Sequence, residues 1–258
     1  MKPALAQDSD LRPALVQALP ALGLGGSTPE QQAQWLGHLA LIAKWNKVYN
    51  LTAVRDPQEM LTHHLLDSLA VAEPLRRHLS ALPLARAEPR LRPHHQPHFQ
   101  PDLQSDPQPN PQPDLQSHLQ PHLLDVGSGA GLPGVTLAIA FPELQVSCVD
   151  AVAKKATFIR QVAAELGLSR LKALHGRVEQ LHISKADVIT SRAFASLADM
   201  VSLTRPHLAE GGVWMAMKGH IPQEEIQALP ADVEVFHVEP LQVPGLPAQR
   251  CLVWLRPR

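Results

Sequence analysis

Leu123-Leu124-Asp125-Val126-Gly127-Ser128-Gly129-Ala130-Gly131-Leu132-Pro133-Gly134 reads as a short apolar strand, a glycine-rich turn and the opening of a helix. Glycines at 127, 129, 131 and 134 let the backbone turn tightly and approach a ligand with no side chain in the way. Amides at the start of the helix are expected to face an anionic group, for which a substrate carboxylate is suited. Pro133 fits the first helical turn, where its missing N–H is not needed. Asp150 ends the next apolar run, where a carboxylate is expected to take both hydroxyls of a bound ribose. Gly129 to Gly134 also satisfies GxGxxG, the dinucleotide fingerprint, so a nicotinamide-dependent oxidoreductase is one reading of the loop.

Outward from this loop, the runs HLLDV, LQVSCVD, LKALHG, ADVIT, GVWMAMK, VEVFHVE and RCLVWLR alternate for the most part with amphipathic stretches. That rhythm predicts an α/β sheet, mostly parallel. Val233 to Arg256 reads instead as a closing hairpin, which argues against a dehydrogenase sheet. Upstream, residues 1–83 read as helical. Trp35, Leu36, Leu39, Leu41, Ile42 and Trp45 recur at three-and-four spacing, and Thr28 before Pro29 and Glu30 suits an N-cap with proline at N1. A second helical pattern runs from Pro57 to Leu82 through Met60, Leu61, Leu65, Leu69 and Val71.

Between these parts the composition changes. Nine prolines stand between Leu84 and His122, and glutamine recurs every fourth residue from Gln96 to Gln120 in units such as DLQS, HLQP and HFQP. Proline at this density removes amide donors and breaks helix, so residues 84–121 read as a solvated, low-complexity insertion between a helical region (1–83) and an α/β domain (122–258). His94/His98 and His118/His122 have a helical metal-ligand spacing, but no rigid helix is expected to present them, and no metal is expected.

The whole chain has 258 residues, 45% hydrophobic and 18% charged, with net charge -1, enough apolar surface for a sizeable core and no global polycation. Any nucleic-acid site must therefore be a local patch. Cys148 and Cys251 lie far apart without metal-ligand spacing, which points to a reducing cytoplasm. Asp8, Asp10, Arg12, Pro13 and Pro20 interrupt the N-terminal stretch, unlike a signal peptide, and no apolar run is long enough to span a membrane.

The frame Asp125-x-Gly127-x-Gly129-x-Gly131 resembles motif I of the class I S-adenosylmethionine-dependent methyltransferases, a Rossmann-like fold, and four further blocks narrow the resemblance. These are Trp45 to Asp56 (WNKVYNLTAVRD), His64 to Leu69 (HLLDSL), Ser191 to Leu197 (SRAFASL) and Lys218-Gly219. In this order they resemble the bacterial 16S ribosomal RNA guanine-N7 methyltransferases, the RsmG or GidB family. The resemblance implies a class I methyltransferase domain preceded by helices, with S-adenosylmethionine as cofactor. It implies 16S ribosomal RNA or the small ribosomal subunit particle as partner, a monomer, a cytoplasmic location and no membrane. By position, the cofactor contacts it implies are Gly127, Gly129, Gly131, Leu132, Val178, Glu179 and Arg192, with Asp150 at the ribose. His63 stands where the family commonly has arginine, and Gln249 and Cys251 alter a usual acidic and histidine pair around Arg250.

Guanine N7 carries an unprotonated lone pair, so its methylation needs alignment rather than a general base. Arg192 and Ser191, after the fourth strand, are the expected catalytic pair that orients the base. Lys47, Arg55, Lys218 and Arg250, with Arg192, are expected to bring RNA phosphate to the pocket. Phe194 and Tyr49 are expected stacking partners for a splayed guanine. His64, Asp67 and Ser68 carry the letters of a hydrolase triad but share one helical turn, so packing against motif I or touching substrate is the expected role. The insertion has no apolar face to contribute to a core, so excising residues 86–120 and closing the gap with a few glycines is expected to leave methyl transfer largely intact. A methyl-transfer assay on the shortened chain checks this.

Overall fold

Strand β1 (His122–Val126) is buried along its whole length, which is why its sequence is apolar towards both faces. In the computed structural model, which describes residues 8–82, 120–192, 194 and 196–258, β1 is an inner strand of a seven-stranded sheet. The tetrapeptide repeat, with His94, His98 and His118, lies outside the described residues. The other strands are β2 (Gln145–Asp150), β3 (Leu171–His175), β4 (Ala186–Ser191), β5 (Leu208–Lys218), β6 (Val233–Leu241) and β7 (Arg250–Pro257). Their order is β3-β2-β1-β4-β5-β7-β6, and β1 to β5 run parallel. Strand β7 inserts antiparallel between β5 and β6, so the expected hairpin is present, and this is the class I methyltransferase arrangement rather than an all-parallel dinucleotide sheet.

Strand order reverses between β1's two neighbours, β2 and β4, so the loops leaving β1, β2 and β4 meet outside their carboxyl ends. The helices following these strands are α6 (Gly134–Ala140), α7 (Ala153–Leu166) and α8 (Leu197–Thr204), with a short α9 (Gln223–Gln227) after β5. Helix α6 starts one residue later than the sequence predicts, with Pro133 at the N-cap.

Residues 8–82 form α1 (Asp8–Ala18), α2 (Pro29–Tyr49), α3 (Pro57–Met60), α4 (Asp67–Leu69) and α5 (Ala72–Ala81), with α3 and α4 joined by a π-helical stretch, Leu61–Leu66. Thr28 caps α2 reciprocally with Gln31, as a capping box. Leu36, Leu39 and Ile42 of α2 share one buried cluster with Leu132, Val135 and Phe158, so the helical region and the sheet have a common core. Three side chains of α2 at four-and-three spacing donate to backbone oxygens of the glycine loop and α6: Gln31 Nε2 to Ile139 (2.9 Å), Trp35 Nε1 to Thr136 (3.1 Å) and His38 Nε2 to Ala130 (2.8 Å). The Gln31 amide thereby satisfies carbonyls in the last turn of α6 that the helix leaves without partners. Burial holds the His38 imidazole down at about 4, so at neutral pH it is uncharged with its proton on Nε2, the nitrogen facing the carbonyl.

Candidate functional site

The glycine loop folds back on itself through its own amides. Gly127 N and Ser128 N donate to the Val149 carbonyl (2.8 and 3.2 Å), and Gly131 N and Leu132 N to that of Ser128 (2.8 and 2.9 Å). Gly129 N donates to Asp150 Oδ2 and Gly134 N to Asp125 Oδ2, both at 2.9 Å. The expectation of free amides facing an anionic ligand is therefore overturned. The N-terminus of α6 already holds a fully buried carboxyl group, and burial pushes the Asp125 carboxyl up to about 6, an effect that the Gly134 amide and the Arg192 cation offset only in part. With the amides of Gly127, Ser128, Gly129, Gly131, Leu132 and Gly134 engaged and a buried carboxyl at the helix start, the site is a poor one for a pyrophosphate, which weakens the dinucleotide reading.

The loop instead contributes shape. Gly131 has φ +79°, and a Cβ there would meet Val135 Cγ2 at 2.3 Å. Leu132 is buried beneath the loop, packed in the core that α2 shares. Asp150, expected to be open to a ribose, accepts from Gly129 N and from Val152 N (2.8 Å), one bond to each oxygen. It thus ties the glycine loop to the turn after β2 and keeps one further lone pair on each oxygen. Asp150→Ala is expected to lower affinity for the nucleoside cofactor roughly ten- to hundredfold, by loss of charge-assisted bonds worth about 1.5–3 kcal/mol. Because the loop loses its anchor, Tm should fall as well; calorimetric titration and a thermal melt check the two effects.

Beside the loop, a cavity of about 250 Å³ is lined by Gly127, Val149, Ala151, Val178, Glu179 and Phe194. Gly127, Val178 and Glu179, separated by some fifty residues in the chain, thus share one wall-lined space, and Phe194 borders it as well. The walls are largely apolar, with Glu179 the acidic residue among them. Val178 is held by its carbonyl, which accepts from the buried His207 Nε2 (2.8 Å).

At the carboxyl end of the sheet two arginines converge on one carboxylate. Arg192 Nη1 donates to Asp67 Oδ2 (3.1 Å) and to the His63 carbonyl (3.1 Å), and Arg250 Nε donates to Asp67 Oδ1 (2.7 Å). The Asp67 side chain is 5% exposed, and those of Arg192 and Arg250 are 28% and 24% exposed. Each guanidinium keeps further N–H groups for a ligand. Asp67 thus joins the helical region to the end of β4 and the start of β7. Nearby, Thr52 Oγ1 and His64 Nε2 are hydrogen-bonded (2.8 Å), while His64 Nδ1 and Ser68 Oγ are buried with no partner among the described residues. Burial, then the Arg192 cation, lowers the His64 imidazole to about 4.

Ser191, expected to orient the substrate, is buried and donates its hydroxyl to the Val126 carbonyl (2.7 Å), tying β4 to β1. Lys218, expected on RNA phosphate, is clamped by both carboxylate oxygens of Glu225 (2.7 and 3.0 Å). Lys47 and Arg55 are exposed on the helical region. The expected single basic patch is thus divided: Arg192, Arg250 and Lys218 are ion-paired at the carboxyl end of the sheet. Sequence reasoning missed His38 and the bridging role of Asp67. A polar residue among the core-facing positions of α2 was the available signal for His38; for Asp67 no local signal exists.

No helix among the described residues is long and apolar enough to cross a membrane, and no group of three or more potential metal ligands occurs among them.

A family model described as rRNA small subunit methyltransferase G matches residues 31–81 and 114–253. Three curated proteins named ribosomal RNA small subunit methyltransferase G are similar over most of their length. One from Methylibium petroleiphilum is 57% identical over 228 residues, 88% of this chain and 86% of its own. One from Acidovorax ebreus is 53% identical over 254 residues, 98% of this chain and 99% of its own. One from Leptothrix cholodnii is 52% identical over 247 residues, 96% of each chain.

Proposed function

Because the chain belongs to the rRNA small subunit methyltransferase G family, we propose that it transfers a methyl group from S-adenosylmethionine to N7 of an unpaired guanine in 16S ribosomal RNA. The observation that carries this reading is the glycine loop of a class I methyltransferase sheet, with most of its amides bonded internally, beside the cavity between Gly127, Val178, Glu179 and Phe194. Those features fit a nucleoside without a pyrophosphate. Bound S-adenosylmethionine supplies an electrophilic methyl on a sulfonium sulfur. The proposed contacts are Gly127, Gly129, Gly131 and Leu132 by shape, Val178 and Glu179 in the cavity, Asp150 through its remaining lone pairs, and Arg192.

Guanine N7 loses no proton on methylation, so the chain needs no general base, and it is consistent with this that the buried carboxyl of Asp125 is enclosed beneath the loop. The work left to the protein is orientation. Holding reactants in an attack geometry supplies about 7–11 kcal/mol of barrier reduction, and Arg192, fixed by Asp67, is the donor proposed to align the base. Ser191 supports that position by tying β4 to β1 beside it. Arg250 and Lys218 are proposed to meet RNA phosphate through the donors their carboxylate partners leave free. Naked rRNA and the small-subunit particle are both substrates consistent with this chemistry, a monomer suffices for it, and a cytoplasmic location accompanies it.

A guanine stacked and paired inside a stem cannot bring N7 into line with a methyl group held beside the glycine loop, so the proposed target is an unpaired or splayed base. Labelled-methyl transfer followed by reduction and aniline treatment tests the atom, because methylation at N7 makes the imidazole ring cationic and labile. Chain cleavage at the labelled residue is the expected result. Label in the RNA without cleavage would assign the methyl to an exocyclic nitrogen, a ring carbon or a ribose instead.

A further inference from the structure

The cavity beside the glycine loop is assembled from segments that are held in different ways. On one side, backbone bonds join the ends of neighbouring strands. Gly127 N donates to the Val149 carbonyl (2.8 Å) and Gly176 N to that of Asp150 (3.1 Å), so the turns after β1, β2 and β3 form one frame. On the other side, Leu203 lines the cavity from α8, with Phe194 shortly before that helix. Helix α8 packs on the frame through Leu197, Met200 and Val201, which share a buried cluster with Val178. Aliphatic packing of this kind is non-directional, so by itself it leaves the distance between helix and frame loosely set.

His207 supplies a directional contact. It ends the single 3-10 turn that follows α8, Arg205–His207, and is buried. Its Nε2 lies 2.8 Å from the Val178 carbonyl, and because a carbonyl only accepts, the proton stands on Nε2. The same carbonyl accepts from Leu181 N (3.2 Å) within its own turn, Val178–Gln180. Its two lone pairs are thus divided: one shapes the turn, and the other ties the turn to the end of α8. The opposite end of α8 is fixed as well, because Leu197 N donates to Glu225 Oε2 (2.7 Å) and Ser196 Oγ accepts from Asp199 N (3.0 Å). Burying an imidazole costs desolvation that one hydrogen bond little more than offsets, so an aliphatic side chain would serve the core as well. What the histidine adds is direction.

We propose that His207 is a positioning residue for the nucleoside cofactor: by bonding the Val178 carbonyl it sets the width of the cavity that receives S-adenosylmethionine. The inference rests on the reading of this cavity as the cofactor site. Val178 and Glu179 line it from the turn that His207 holds, and Leu203 from the helix that leads into His207. His207 is not itself among the lining residues, so it acts through Val178 and not by touching the cofactor.

Calorimetric titration of the RNA-free protein with S-adenosylmethionine, with a thermal melt on the same preparation, tests the proposal. His207→Leu, which keeps the bulk and lacks the donor, should lower cofactor affinity about tenfold. Its KM for S-adenosylmethionine should rise by a similar factor, with kcat at saturating cofactor within about twofold of wild type. His207→Gln, whose amide reaches the place of Nε2, should restore most of the affinity; His207→Asn, one methylene shorter, should not. The comparison of Gln with Asn carries the test if His207→Leu does not fold. Glu179→Ala, in the cavity wall, should also weaken cofactor binding about tenfold and reports on the cavity itself. Variants of His207 that melt lower but keep wild-type cofactor affinity and KM would overturn the proposal, as would equal losses of affinity in the Gln and Asn variants. With Glu179→Ala weakened and the His207 variants at wild-type affinity, the role of His207 alone falls. With Glu179→Ala also at wild-type affinity, the reading of the cavity as the cofactor site falls and the proposal with it.

Discussion

Asp67→Ala is expected to lower kcat/KM for methyl transfer about a hundredfold, the scale set by a misplacement of roughly 1 Å in a reacting geometry. The carboxylate receives Arg192 and Arg250 at once, so its removal frees both guanidiniums from the positions at which the ends of β4 and β7 present them. It also leaves two cations without their anion. Both are about one-quarter exposed, so water offsets part of that loss, and a stability cost of about 2 kcal/mol is expected rather than the 3–5 of a fully buried pair. Asp67→Asn, which keeps the shape and one acceptor, should fall between the variant and the wild type. Single-turnover rates at saturating RNA, with S-adenosylmethionine affinity measured separately, distinguish lost positioning from lost cofactor binding. A rate within threefold of wild type would show that the arginines hold their places without Asp67.

The second large effect is expected from Gly134→Ala, at the first residue of α6. A Cβ there would lie 2.4 Å from Cys148 Sγ and 2.8 Å from Asp125 Oδ2, both on buried strand residues with no room to retreat. Overpacking of this kind costs about 3 kcal/mol, which corresponds to a fall in Tm of about 6–12 °C for a domain of this size. The helix start must shift to relieve the clash, and the Gly134 N to Asp125 bond shifts with it. Cofactor affinity should therefore fall together with Tm, which thermal melts and calorimetry on one preparation will show. Gly167→Ala is the control. That glycine has φ +69° but open space where a Cβ would stand, so only the smaller backbone strain of a left-handed residue applies.

The strand pattern, the glycine loop, the closing hairpin and the capping of α2 were all legible in the sequence. Each rests on residues close together in the chain: a short apolar run at β1, glycines within one turn, Thr28 directly before Pro29. The loop's chemistry was misread because the same glycines serve two purposes. They permit close approach by a ligand, as expected, but their amides fold inward onto Ser128, Val149, Asp150 and Asp125. Nothing local distinguishes an amide nest from an internally bonded turn; the partner at Val149 belongs to the neighbouring strand.

What the sequence by itself determined is the set of elements and the class of fold, because strand and helix periodicity and turn chemistry are short-range properties. What only the tertiary structure decided is which polar side chains meet. Arg192 and Asp67 are 125 residues apart, Arg250 and Asp67 183, and His38 and Ala130 92. The π-helical stretch before Asp67 likewise leaves no mark in its residues, LTHHLL, which read as ordinary helix. Such contacts are set by how the helical region seats on the sheet, through a core that both contribute to. Burial then fixes the outcome physically: a carboxylate such as Asp67 removed from water needs a cation or donor at hand, and the packed fold brought Arg192 and Arg250 to it.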